Sequence, residues 1–126
     1  MSKPEDMKLA FTWHVSQQVV AADGMVTTEE RSWLRVRYAA RARAAGLMMP
    51  DGKPTPAYAT VLADAMKELP ALPRPERLEL VDDVLDTVVA DGLVQVQELD
   101  KIREIGALLG LTGADLDEVF KKRKDL

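Results

Sequence analysis

Large apolar side chains recur at helical spacing along nearly the whole chain, and no segment alternates with period two. Residues 4 to 22 carry Met7, Phe11, Val15 and Val19 on one stripe, with Trp13 and Val20 alongside. Pro4 opens this first helix where a missing N–H costs nothing, and the expected end is near Asp23-Gly24. A second helix is expected after Thr27 and runs to about Ala45 on the stripe Leu34, Tyr38, Ala42 and Ala45, with Gly46 as its stop. Met48 to Pro54 reads as a loop. Thr55 caps and Pro56 opens a third helix through Tyr58, Val61, Leu62, Ala65, Met66 and Leu69, which Pro70, Pro73 and Pro75 end. From Glu76 to Ala90 the positions Leu78, Val81, Val84, Leu85, Val88 and Val89 make a fourth helix, whose length and period outweigh its β-branched content. A fifth runs from about Val96 to Leu109 through Leu99, Ile102 and Ile105, and a short sixth follows Thr112 with Leu116, Val119 and Phe120 inward. Lys121 to Lys124 read as a solvated, frayed basic end. The expected fold class is all-α, a bundle of about six helices in one domain over residues 1–126.

The chain repeats itself. Ala22-Asp23-Gly24-Met25-Val26-Thr27-Thr28-Glu29-Glu30 returns 68 residues later as Ala90-Asp91-Gly92-Leu93-Val94-Gln95-Val96-Gln97-Glu98. Each copy joins two predicted helices, so the bundle divides into two related helix-turn-helix units, about residues 4–45 and 75–120, with loop 46–55 and helix 56–69 between them. Much of the motif has a purely structural explanation. Gly24 and Gly92 suit a left-handed helix end, Val26 and Val94 suit the core, and Thr27 with Glu30 forms a capping box. Asp23 and Asp91 fit less well, because a carboxylate at a helix C-terminus faces the negative end of the macrodipole and costs roughly 0.3–1 kcal/mol.

The glutamates add to this. Glu98 continues the buried stripe of Ile102, Ile105 and Leu109, Glu30 continues that of Leu34, Tyr38 and Ala42, and Asp91 lies in line with Val88, Val84 and Val81. The acids are therefore expected to point coreward, where an uncompensated charge costs several kcal/mol. Arg35 and Arg103 stand five residues beyond Glu30 and Glu98, roughly 140° round the helix, and do not serve as intrahelical partners, whereas Lys101 is within reach of Glu98. An oxygen-only set of Asp23, Glu30, Asp91 and Glu98, with Glu29 as a further candidate, suits a hard divalent cation, Ca²⁺ or Mg²⁺. The unit matches the second half of an EF-hand loop but fails at positions 1 and 3, where Val19 and Ala21, or Thr87 and Val89, stand in place of ligands. Capping with solvated ion pairs and no metal is the competing reading.

The Ala-Asp-Gly-x-Val turn followed by Glu, with Ile105-Gly106-Ala107-Leu108-Leu109-Gly110-Leu111 and a short terminal helix, resembles the TerB-like family, which includes tellurite-resistance TerB proteins and a domain of membrane-anchored DnaJ-like co-chaperones. The resemblance spans about residues 7 to 120. It implies two repeated helical units with acidic positions at Asp23, Glu29, Glu30, Asp91 and Glu98, and a role in bacterial stress or tellurite resistance with membrane and calcium-binding proteins among the partners. Gln97 stands where the first unit has Glu29, so the two halves differ in their acids.

Composition narrows the chemistry further. With no Cys there are no disulfides, thiolate metal sites or thiol nucleophile, and a single His cannot build a His-rich site. The start has no apolar signal segment and even the longest runs free of polar side chains, such as Ile105 to Leu111, are too short to span a bilayer, so a soluble cytoplasmic protein is expected. The net charge of -4 is uneven: residues 1–63 hold eight basic and six acidic residues, a balance of +2, and residues 64–126 hold nine and fifteen, a balance of -6. Arg31, Arg35, Arg37, Arg41 and Arg43 make the second helix basic, but at regular helical spacing they spread too widely for one groove-reading face, which argues against nucleic acid. The expectation is that this helix packs beside Asp82, Asp83 and Asp86, within the fold or across a homodimer. His14, among apolar neighbours, reads as a satisfied, half-buried residue. Ser2, Ser16 and Ser32 sit in no nucleophile motif, and no phosphate-binding glycine loop is present, so a non-enzymatic binding module is expected ahead of a bare scaffold or a metal-assisted hydrolase.

Overall fold

The computed structural model describes residues 2–22, 28–89 and 96–123, and among them every regular element is a helix. α1 is Pro4–Val20, with Pro4 in its first turn as expected. α2 begins as Thr28–Leu34, passes through a π-helical turn at Arg35–Ala39 and continues as Ala40–Ala44. α3 is Pro56–Glu68, α4 Arg74–Val88, α5 Val96–Leu108 and α6 Gly113–Lys122.

α1 is the axis of the bundle and packs against α2, α3, α4 and α5. Its sequence explains the position, because it is apolar on two faces. Met7, Phe11, Val15 and Val19 enter the larger core with Ala65 and Leu69, the α4 stripe from Leu80 to Val88, and Ile102, Ile105, Leu116 and Val119. Leu9, Ala10 and Trp13 enter a smaller core with Tyr38, Ala42 and Leu47. A helix that is apolar nearly all round belongs in the interior. Between the two cores, Thr87 on α4 donates to Ser16 Oγ on α1 at 3.2 Å, and Ser16 Oγ lies 3.3 Å from Tyr38 Oη on α2. These three buried hydroxyls satisfy one another and tie three helices together.

Helix ends follow local chemistry. Gly46 and Gly110 take φ of 76° and 72°, a left-handed conformation in which Leu47 donates to Ala42 O and Leu111 to Gly106 O. Several ends differ from the sequence expectation. α4 begins at Arg74, two residues early, because Pro75 sits comfortably in a first turn. Pro70 forms a 3₁₀ turn, Leu69–Ala71. Thr55 has the extended backbone of an N-cap, yet its hydroxyl donates to Gly46 O at 2.6 Å and so closes the loop instead of capping α3. Met66, expected inward, is 38% exposed, and Leu80 and Thr87 are buried although the apolar stripe did not include them. The basic end is not solvated throughout: Arg123 donates to Asp82 O at 3.0 Å, Asp82 Oδ1 at 2.9 Å and Asp86 Oδ1 at 2.9 Å, locking the end of α6 against α4. α1 ends at Val20, with Ala21 as its C-cap, and α4 at Val88, with Val89 as its C-cap, both short of the expected Asp23-Gly24 and Ala90, which themselves lie outside the described residues.

α6 is held at its start by a capping box in which Asp115 N donates to Thr112 Oγ1 and Thr112 N to Asp115 Oδ2. Arg74 adds two hydrogen bonds to Asp115 Oδ1, at 2.9 and 2.7 Å. The Thr112 amide and then the Arg74 guanidinium hold the Asp115 carboxyl down at about 2, below its ordinary 3.8. Because the folded-state value is the depressed one, Asp115 contributes its full stabilisation above about pH 4 and loses it as pH falls toward 2. Melting curves recorded between pH 6 and pH 2 should therefore show a decline in Tm that is shallower in Asp115→Asn than in the parent, and equal slopes would refute the assignment. Thr112→Ala is expected to cost about 1 kcal/mol at neutral pH.

Candidate functional site

The expected acidic site falls on the first turns of α2 and α5. Glu30 and Glu98 hold equivalent places, three residues into each helix after the repeated turn, and both are buried, at 4% and 2% exposure. The inward orientation predicted from the helical stripes is what the structure shows. A helix N-terminus favours negative charge through its unpaired N–H groups and aligned dipoles, so the first turn is where a buried carboxylate costs least. Glu29 is exposed and belongs to the solvent side of the same turn. Asp23 and Asp91, the other two candidate ligands, lie outside the described residues. Among the described residues no group of three or more His, Cys, Asp or Glu side chains is close enough to share an ion, so any oxygen cage at Glu30 and Glu98 has to draw on the turns themselves.

A cleft of about 550 Å³ opens between Gln18, Ala21 and Ala22 at the end of α1 and Gln97, Asp100, Lys101 and Glu104 on α5. Lys101, considered as a partner for Glu98, reaches Glu104 at 3.1 Å, and Arg103 reaches Asp117 at 3.4 Å. His14 is half-buried beside Gln18, with His14 Nε2 3.1 Å from Gln18 Nε2, and burial lowers its pKa.

The pairing of the basic α2 with the acidic α4 occurs within the fold, through one residue. Arg37 lies 3.8 Å from Asp83 and 3.4 Å from Asp86, with its guanidinium carbon 5.2 Å from the centre of the Trp33 ring. Burial raises the pKa of Asp83, and Arg37 opposes that rise. Arg123, which the sequence reading left in solvent, is the second cation at Asp86. No described helix is long and apolar enough to cross a membrane.

Comparison with known proteins gives one result that bears on this geometry. The family profile described as "Tellurite resistance protein TerB" matches residues 10–121, which include all six helices apart from the first residues of α1 and the last of α6. No curated protein and no solved structure gave a match. The all-helical bundle, the paired helix starts and a profile match over nearly the whole length agree, and the chain belongs to the TerB family.

Proposed function

We propose that this TerB domain acts by binding and not by catalysis, and that a divalent cation, Ca²⁺ or Mg²⁺, held at the paired acidic turns controls its binding state. The reading rests on one observation: Glu30 and Glu98, 68 residues apart, are both buried at matching helix starts. Capping alone makes use of the Glu but gives no reason for an Asp seven residues ahead of it in both units. A cation between the turns would give all four carboxylates the same partner. Glu30 and Glu98 would supply the inner oxygens, Asp23 and Asp91 the outer ones, with backbone carbonyls and water completing a shell of six to eight. Glu29 is exposed and fits a peripheral place. The family supports a role in tellurite resistance or a related stress response, with a protein partner reading the ion-loaded state.

The test is thermal melting of the EDTA-treated protein with and without added Ca²⁺ or Mg²⁺. At a hundred times Kd the ion should add about 2.7 kcal/mol, a rise in Tm of about 10 °C for a domain of this size. Glu30→Gln, Glu98→Gln and the pair Asp23→Asn with Asp91→Asn should each remove most of that rise. An equal rise in these variants, or none in the parent, would leave the turns as helix caps in a metal-free scaffold. A phosphatase and esterase screen with added metal is expected to stay silent.

A further inference from the structure

We propose that the groove between α2 and the 47–55 loop binds a small phosphate-bearing anion through Arg31, Arg35 and Arg43. The groove is separate from the acidic turns, has a volume of about 540 Å³, and rests on Trp13, Leu34 and Met48. That is the size range of small-molecule sites. Asp51 is the one carboxylate among the lining residues, against three guanidiniums. Its Oδ1 already accepts from Lys53 N at 3.0 Å, within the loop.

What brings the three arginines together is the π-turn. Residues on an α-helix advance about 100° each, so Arg43, twelve residues after Arg31, would stand about 120° away from it on a regular helix. The turn at Arg35–Ala39 absorbs one extra residue, which returns Arg43 to about 20° from Arg31, with Arg35 about 40° away. The wide spread read from the sequence is thus corrected for three of the five arginines. Arg37 is turned to Asp83 and Asp86, and Arg41 lines a different cleft, against α1. Arg43 is steadied by donating to Pro50 O at 3.4 Å, and the loop is closed by Met49 N to Lys53 O at 2.7 Å and Thr55 N to Leu47 O at 3.1 Å. Among the described residues Arg31 and Arg35 form no ion pair. π-Turns inside α-helices are frequent at functional sites.

The charge and shape select the ligand class. Three guanidiniums and one carboxylate leave a balance of +2, matched by a dianion. Guanidinium forks arriving from separate positions suit a tetrahedral group whose oxygens point several ways, whereas a planar carboxylate engages one fork at a time. A concave groove with an apolar floor holds a discrete molecule better than it meets the plane of a lipid surface.

The experiment is calorimetric titration of the EDTA-treated full chain with inorganic pyrophosphate at low salt, so the proposed cation site takes no part. One-to-one saturable binding that weakens with added salt is expected. Arg31→Gln, Arg35→Gln and Arg43→Gln should each weaken it at least about fivefold. Arg41→Gln, equally exposed and on the same helix, should change it by less than about twofold. All four positions are on the surface, and a melting curve of each variant checks that it folds. The proposal is overturned if pyrophosphate does not bind, if Arg41→Gln acts as strongly as Arg35→Gln, if Arg43→Gln is silent, if citrate binds as tightly, or if phosphatidylserine vesicles are bound and pyrophosphate is not. None of these results bears on the melting response to Ca²⁺ or Mg²⁺.

Discussion

Phe11→Ala is expected to cost about 3–5 kcal/mol and to lower Tm by more than 10 °C. Phe11 is 1% exposed and stands at the middle of α1, the helix that meets most of the others. Truncating it removes the transfer free energy of the ring and leaves a cavity among residues from α4 and α5 that already pack on one another and have little room to relax. Against a total stability of about 5–15 kcal/mol for an ordinary domain, this is about a fifth of the fold or more. Chemical denaturation, read by the change in midpoint at constant slope, checks it. A loss below about 1 kcal/mol would mean that α1 is not the central packing element. Val36→Ala is the contrasting control: Val36 is 83% exposed on α2 and its removal should be nearly neutral.

Gly106→Val is expected to destabilise by about 2 kcal/mol. A Cβ at Gly106 would meet both δ-carbons of Leu116 at 2.8 Å, and Leu116 is itself buried at the start of α6. Glycine inside a helix costs up to about 1 kcal/mol relative to alanine, and part of that cost is sustained here, in the last turn of α5, because it lets α6 lie close against α5. Valine adds two methyl groups into occupied space and loses side-chain freedom in the helix, so the gain in backbone stiffness does not compensate. Pairing Gly106→Val with Leu116→Ala should recover part of the loss, and the double-mutant cycle measures the contact directly. Additive losses would show that the two positions do not touch.

The same position marks where the two halves of the molecule part company. Gly106 is the counterpart of Tyr38 at the 68-residue offset. In the first unit a buried tyrosine fills the space and reaches Ser16, and in the second the space is left open for Leu116 of a helix the first unit lacks. The repeat therefore describes the turns and helix starts well, and the packing beyond them poorly. Glu30 and Glu98 were legible as inward-facing because each sits on a helical stripe with its own apolar neighbours, a purely local relation. Thr87 and Leu80 were missed because period alone cannot distinguish a helix covered on one face from one covered on two, as α4 is by α1 and α5. Arg123 reads as solvated in the sequence because it sits in the basic run Lys121 to Lys124 after the last helical stripe, whereas its partners Asp82 and Asp86 lie 41 and 37 residues earlier.

The amino-acid order by itself determined the class of element, the approximate limits of six helices, the duplicated turn and the burial of its two glutamates, since each depends on contacts within a few residues along one helix. Only the tertiary structure decided which of five arginines share a groove, which single one meets the acidic helix, and where the C-terminal basic residue is anchored. The reason is geometric. One residue taken up in the π-turn of α2 rotates everything after it by about 100°, and an advance of that kind is fixed by packing against α1 and the 47–55 loop, with no mark in the local pattern of polar and apolar positions.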